Sequence, residues 1–350
     1  MKLAVVLTEI DPFGGLQKHV LELLDFVHSH DAIELHIVCT ELVQKSGAAE
    51  KLQERYKDAD LSVIKVIGFM SVRLFSLLQF WRLVEILRDV DVIHLHDVRF
   101  GLIASYLAKK NQRIVLSSHG FIFHNGMTKL KRAAFSLLSR LINAAITDTV
   151  CVSLSDYSIA RNYKLNNPKL LENWTRISTH ICSPSTRKRQ IVYFGRLEKS
   201  KGIEELLSVE FIGNLKKLDV ELVVIGSGSL ESFVLSRANE YSQVSYKGRL
   251  SDAELLDTLC SSQWAIFPSY REGFGITVLE GLACGCECLL NEDSNYKEIF
   301  PDAPVTFFSF SGISGFAGKL ENKHSPNLRR SYLERYDYEK SMQKLVQIYE

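Results

Sequence analysis

The chain has 350 residues, 46% hydrophobic and 24% charged, with a formal net charge of +1. That length exceeds one ordinary core and fits two domains, and the near-zero charge gives no global attraction to nucleic acid. No apolar run reaches the roughly 20 residues of a membrane-spanning helix, and the start "MKLAVVLTEIDPFGG" turns acidic and glycine-rich too early for a secretory signal.

"KLAVVLTEI" reads as a strand leading through Gly14 and Gly15 into the helix "GGLQKHVLELLDFVHSH", where Val20, Leu23, Leu24 and Val27 keep a 3.6-residue period. "IELHIVCT", "LSVIKVIG", "VDVIHLHD", "RIVLSSHG" and "TDTVCVSLS" read as further strands. "FMSVRLFSLLQFWRLVEIL" and "MTKLKRAAFSLLSRLINAAI" read as helices between them. The polar stretch from about 169 to 190, which contains Pro184, reads as a connection between domains.

A second series then begins. "IVYFGRL", "VELVVIG", "VSYKG", "WAIFPS" and "CECLLN" read as strands. "KGIEELLSVEFIGNL", "LESFVLSRANEYS", "DAELLDTLCSS", "ITVLEGLACG" and the tail "YEKSMQKLVQIYE" read as helices. Strands without clean polar alternation, separated by helices, imply parallel sheets covered on both faces. The expected fold is α/β: two Rossmann-like, doubly wound parallel-sheet domains, 1–175 and 176–336, with a ligand cleft between them. The helix 337–350 is expected to pack back on the first domain. The seven cysteines lack a Cys-x-x-Cys pair and read as buried thiols in a reducing compartment.

The chemistry concentrates in "PSYREGFGITVLEGLACG". Gly273, Phe274 and Gly275 stand where a strand ends and a helix begins at Ile276, so the backbone can approach a ligand and free N–H groups attract an anion. Glu272 precedes this turn, and Glu280 follows eight residues later in an apolar helix, where a buried charge needs a partner. In "FGRLEKSKG", Arg196 follows a strand and Lys201 opens the next helix, a pair suited to clamp a diphosphate. "VIGSGS" adds a weaker glycine pair. Gly14 and Gly15 lack the Gly-x-Gly-x-x-Gly spacing of a dinucleotide site but still offer N–H groups at a helix start. His119 closes a strand. His94, His96 and Asp97 could in principle ligate a metal, although strand-end histidines bonded to nearby backbone are commoner.

Together, "PSYREGFGITVLEGLACG", "FGRLEKSKG", "VIGSGS", "YKGRLSDAELLDTLCSS" and the N-terminal Gly-Gly resemble glycosyltransferase family 4, retaining enzymes of the GT-B fold whose Glu-x7-Glu motif matches Glu272 and Glu280. The resemblance implies that Arg196 and Lys201 bind the donor diphosphate, that Gly273, Phe274, Gly275 and Ile276 contact its sugar and phosphate, and that Glu272 meets the transferred sugar. Glu280 would hold the ribose, Arg249 and Leu250 would lie near the base, Gly14 and Gly15 would face the diphosphate, and His119 would stand beside the reacting centre. No metal or other cofactor is implied; a nucleotide-diphosphate sugar is the donor substrate. This chain departs from the family at Asn173-Trp174, at "GCE", and at "NEDSNYKEIF", which lacks a glycine often present. "SSHGFIFHN" also resembles mannosyltransferases that build bacterial exopolysaccharide or O-antigen on a lipid carrier.

The implied reaction moves a sugar from GDP-mannose or a UDP-sugar to a glycan or polyprenyl-linked acceptor. Between residues 100 and 170, ten Lys and Arg face two acids, and with Arg73 and Arg82 they suggest docking on an anionic membrane surface. The expected location is the cytoplasmic face of the plasma membrane, with no nucleic-acid partner. The alternatives are a nucleotide-sugar epimerase of the same two-domain form, or a catalytically silent partner in glycan assembly.

Overall fold

A computed structural model describes residues 1–7, 15–40, 48–64, 66–69, 72–75, 77–96, 111–119, 143, 146–176, 182 and 187–350. They fold as two units, one of Met1–Glu172 with Glu339–Glu350 and one of Asn173–Tyr338.

The strands of the first unit are β1 (Lys2–Leu7), β2 (Glu34–Thr40), β3 (Asp60–Ile64), β4 (Val66–Phe69), β5 (Val72–Phe75), β6 (Val92–Leu95), β7 (Arg113–Ser118), β8 (Asp148–Cys151) and β9 (Pro168–Leu170). Seven of them form one parallel sheet in the order β3-β2-β1-β6-β7-β8-β9. Leu3, Ala4, Val5, Val6 and Leu7 are all buried, as a strand covered on both faces requires. The helix Gly15–His28 buries Val20, Leu23, Leu24 and Val27, the four positions of its apolar stripe.

The stretch "FMSVRLFSLLQFWRLVEIL" is not one helix. Strands β4 and β5 form an antiparallel hairpin, and the helix Leu77–Arg88 starts after it. Valine, isoleucine and phenylalanine favour the pleated form, and that preference outweighs the helical pattern for the first part. "LSVIKVIG" accordingly divides between two sheets, as β3 and β4. A last strand, β9, lies at the start of the stretch read as a connection. Most of the basic helix "MTKLKRAAFSLLSRLINAAI" is outside the described residues. Among the described residues, no helix is long and apolar enough to cross a membrane.

The second unit holds β10 (Lys188–Phe194), β11 (Glu221–Ile225), β12 (Val244–Tyr246), β13 (Ser262–Phe267), β14 (Glu287–Asn291) and β15 (Thr306–Phe308). They form a parallel sheet in the order β12-β11-β10-β13-β14-β15. The order reverses between β10 and β13, and open sheets of this kind bind ligands at the carboxyl ends of the strands beside such a reversal. One face is filled by Ile191, Leu206, Phe211, Leu222, Trp264 and Ile266. The single helix expected over "KGIEELLSVEFIGNL" is two, Ile203–Leu206 and Val209–Lys217. Ser208 starts the second one by accepting a hydrogen bond from the Phe211 N–H.

The cysteines depart from the expectation of thiols throughout. Cys182 and Cys260 form a disulfide, with Cα atoms 5.2 Å apart and 78 residues between them in sequence. Cys151, Cys284, Cys286 and Cys288 are buried and outside any disulfide. Titration with a thiol reagent under denaturing conditions is therefore expected to gain two reactive thiols after reduction.

Candidate functional site

The loops that leave β10 and β13 are pressed together. After β10 the chain turns at Gly195 (φ +154°), and Tyr193 donates its hydroxyl to the Arg196 carbonyl at 2.7 Å. A 3-10 turn over Lys199–Lys201 ends at Gly202, whose φ of +68° is left-handed. A Cβ on Gly202 would stand 2.3 Å from the Pro268 carbonyl oxygen, at the exit of β13. Only glycine permits that approach. The Tyr270 N–H donates to the Ser200 carbonyl at 3.2 Å and holds the two loops in register.

This packing unites residues 71 positions apart. Lys201 Nζ is 2.6 Å from Glu272 Oε1, with side chains 18% and 15% exposed. Charge-assisted bonds of this length, partly shielded from water, are much stronger than surface pairs. Two tyrosines crowd the same carboxylate. Burial and the charge of Glu272 raise the Tyr193 and Tyr296 hydroxyls well above the usual range, so both stay neutral donors. The Arg196 side chain is exposed and makes no ion pair among the described residues.

The glycine turn follows directly. Gly275 is left-handed (φ +92°) and caps the helix Ile276–Ala283. A Cβ there would meet the Tyr296 ring at 3.2 Å. Gly273 and Ile276 are half-buried. Phe274 points inward, against Phe300 and Tyr336, so it offers backbone rather than ring to a ligand. Glu280 is 6% exposed in the middle of the helix, which bears out the expectation of a buried charge.

The glycine pair of "VIGSGS" has a packing reason. A Cβ on Gly226 would lie 1.9 Å from the Gly195 carbonyl oxygen, and one on Gly228 would lie 2.5 Å from that of Leu197. The β11 loop therefore braces the β10 loop. The Leu197 N–H donates to the Ser227 carbonyl and the Leu230 N–H to the Leu197 carbonyl, both at 2.9 Å. Arg249 Nε donates to Ser227 Oγ, and the Gly226 N–H donates to the Gly248 carbonyl at 2.8 Å, which brings Arg249 and Leu250 alongside.

In the first unit, Gly15 is the first residue of its helix, and Gly14 and Asp97 lie outside the described residues. His119 follows β7. Its Nε2 is 2.9 Å from His96 Nδ1, one ring donating its N–H to the lone pair of the other. His94 is fully buried, with Nδ1 on the Tyr349 hydroxyl and Nε2 on the Ser117 hydroxyl, both at 2.7 Å. Both nitrogens are thus engaged by side chains, which leaves His94 no lone pair for the metal considered from sequence. Among the described residues, the group with metal-ligand spacing is instead Cys182, Cys260 and Cys284, two of which are bonded to each other.

Burial pushes His94 down to about 3 and His119 down to about 4. Between the unfolded value near 6.5 and these folded values, the unfolded chain binds the extra protons. Stability of this unit is therefore complete above about pH 6.5 and falls as pH falls. At pH 5, His94 alone costs about 2 kcal/mol. Thermal unfolding of the first unit is expected to shift downward from pH 7.5 to pH 5. An unchanged transition over that range would refute the buried neutral imidazoles.

The family profile "Glycosyltransferase Family 4" matches residues 13–171, and "Glycosyl transferases group 1" matches residues 182–319. The GDP-mannose:cellobiosyl-diphosphopolyprenol alpha-mannosyltransferase of Xanthomonas campestris is 24% identical over 303 residues, covering 83% of this chain and 79% of that one. A phosphatidyl-myo-inositol mannosyltransferase of Propionibacterium freudenreichii is 30% identical over 227 residues, covering 61% and 55%. The crystal structure of HepE from Anabaena, in complex with UDP and glucose, superposes with a TM-score of 0.76 at 15% identity, over 99% of this chain and 98% of that one. The chain carries a family 4 glycosyltransferase domain followed by a group 1 glycosyl transferase domain, and it is a glycosyltransferase of the GT-B fold.

Proposed function

We propose that the protein transfers a sugar, with retention of anomeric configuration, from a nucleotide-diphosphate sugar to a glycan or polyprenyl-linked acceptor in surface polysaccharide assembly. GDP-mannose is the first candidate donor, supported by the name of the Xanthomonas campestris relative and by a second relative named as a mannosyltransferase, and UDP-sugars are the second. The observation that carries the reading is the Lys201–Glu272 pair at the strand-order reversal, beside an exposed Arg196 and the glycine turn.

The ammonium of Lys201 has three N–H donors, so it can hold the carboxylate and a phosphate oxygen together. Lys201 and Arg196 offset the negative charge that grows on the departing diphosphate, the term that usually contributes most to such catalysis. Glu272 accepts hydrogen bonds from hydroxyls of the transferred sugar, and Glu280 from those of the ribose. Backbone N–H groups at Gly273, Phe274, Gly275 and Ile276 meet sugar and phosphate, and Arg249 and Leu250 flank the base. A departing phosphate oxygen takes the acceptor's proton on the face from which it leaves, which yields retention. For the first unit, Gly15 and His119 carry the corresponding assignment.

A thermal-shift screen of nucleotide-sugars tests the donor. Saturating ligand raises stability by RT ln(1+[L]/Kd), about 2.7 kcal/mol at a hundredfold excess over Kd. The donor that stabilises is expected to be hydrolysed slowly without acceptor, and Glu272→Ala is expected to abolish that hydrolysis. If Glu272→Ala matches wild-type hydrolysis, the assignment fails; a silent partner would hydrolyse nothing. We further propose peripheral docking on anionic membranes, supported by the local excess of cations between residues 100 and 170. Flotation with anionic liposomes at low salt is expected to carry the protein upward, and its absence would remove that part.

A further inference from the structure

We propose that Asn295 is a positioning residue for Glu272, acting through the peptide that bears it; this rests on the reading of Glu272 as a contact to the transferred sugar. Glu272 lies in an irregular segment between β13 and the helix Ile276–Ala283, where no strand partner fixes its backbone. Asn295 supplies one. The Glu272 N–H donates to Asn295 Oδ1 at 2.9 Å, and Asn295 Nδ2 donates to the Glu272 carbonyl at 2.7 Å. A single side-chain amide thus reproduces the two-bond exchange between facing residues of antiparallel strands.

The clamp is itself anchored. The backbone carbonyl of Asn295 accepts from the N–H groups of Glu298 and Ile299, which opens the short helix Tyr296–Ile299. Upstream, the Asp293 N–H donates to Asn291 Oδ1, Ser294 Oγ donates to the Asn291 carbonyl, and the Tyr296 N–H donates to Ser294 Oγ, at 3.0 to 3.1 Å. Asn291 Nδ2 also donates to the Pro268 carbonyl at 3.1 Å. The loop after β14 therefore grips the segment after β13 at two points, Pro268 and Glu272. Lys201 fixes the far end of the Glu272 side chain at 2.6 Å. Backbone and carboxylate are held independently, which leaves the carboxylate one place to stand.

The pairing needs one donor and one acceptor on the same planar group. Alanine has neither. An aspartate anion keeps the acceptor for the Glu272 N–H but sets a second oxygen against the Glu272 carbonyl. A protonated aspartic acid restores the pattern, because its O–H donates where Nδ2 did. Burial beside a carbonyl and a second carboxylate raises the value of that acid above the ordinary 3.9.

The test compares wild type, Asn295→Ala, Asn295→Asp and Glu272→Ala, with GDP-mannose and UDP-glucose as donor probes. Asn295→Ala is expected to lower kcat by about 10- to 100-fold, the scale of a misplacement near 1 Å, while KM for the donor stays within about threefold. Asn295→Asp is expected to be equally slow at pH 8 and to recover relative to wild type as pH falls to 5.5. Glu272, Lys201, Asp293, Tyr296 and Glu298 surround the site in both proteins, so the ratio of the two profiles isolates the new acid. A merely structural role lowers the melting temperature but does not restore turnover in acid. Full activity in Asn295→Ala, or a flat ratio for Asn295→Asp, overturns the clamp. If Glu272→Ala is inactive while Asn295→Ala is fully active, the clamp alone fails; if Glu272→Ala keeps full turnover, the sugar contact fails and the clamp with it.

Discussion

Replacing Lys201 with alanine is expected to lower turnover by about 10²- to 10³-fold, the usual effect of removing one preorganised group that stabilises charge in the transition state. Two losses combine. The departing diphosphate loses a cation, and Glu272, 15% exposed, loses the partner that neutralises and aims it. Stranding a partly buried carboxylate costs about 1–3 kcal/mol of stability, so the variant should also melt earlier. Lys201→Arg keeps the charge but not the compact ammonium, and a planar fork needs more room than a 2.6 Å contact between two pressed loops allows. It is expected to recover stability more than turnover. Steady-state kinetics with the stabilising donor, beside thermal unfolding, separates the two. Wild-type kcat in Lys201→Ala would remove the lysine from the chemistry.

Replacing Gly226 with alanine is expected to cost about 3–5 kcal/mol, at the severe end for a single substitution. The backbone has φ +132°, which disfavours any L side chain, and the new methyl would lie 1.9 Å from the Gly195 carbonyl oxygen. That obstacle is main chain and cannot rotate aside. The β10 and β11 loops must separate, which moves Arg196 and Lys201 together, so donor-induced stabilisation should fall as well. Gly213 is the control. It lies inside the helix Val209–Lys217 with nothing within 4 Å of a Cβ, and Gly213→Ala is expected to stabilise by about 0.5–1 kcal/mol. Calorimetry of both variants decides the matter, and equal effects would show the loop contact to be unimportant.

Much of the site could be read from residue types and their places in the strand–helix series. Glu272, the glycine turn and Lys201 stand after predicted strands, and the strand order makes the β10 and β13 exits neighbours. That adjacency turns a separation of 71 residues into an ion pair. Asn295 is not legible in this way. "NEDSN" looks like any turn rich in Asn, Asp and Ser, and nothing local says which peptide its amide will meet 23 residues upstream. The Cys182–Cys260 pairing has the same character, since residue spacing carries no pairing rule over such a distance. The β4–β5 hairpin departs from the helical reading because a short apolar run also fits a strand. For Asn295 and the disulfide the deciding information lies in tertiary neighbours; for the hairpin it lies in the β preference of its valines, isoleucine and phenylalanines.

The path of the chain sets an order of assembly. The second unit is one uninterrupted stretch, whereas the first is interrupted by it and resumes at Glu339–Glu350. Met342, Leu345 and Tyr349 on that final helix are buried, and the Tyr349 hydroxyl is bonded to His94, 255 residues earlier. During synthesis, the earlier unit therefore waits with an open apolar seam and an unsatisfied imidazole until the ribosome has finished the later one. Nascent chains halted before Glu339 should be caught by chaperones or proteases through their older half.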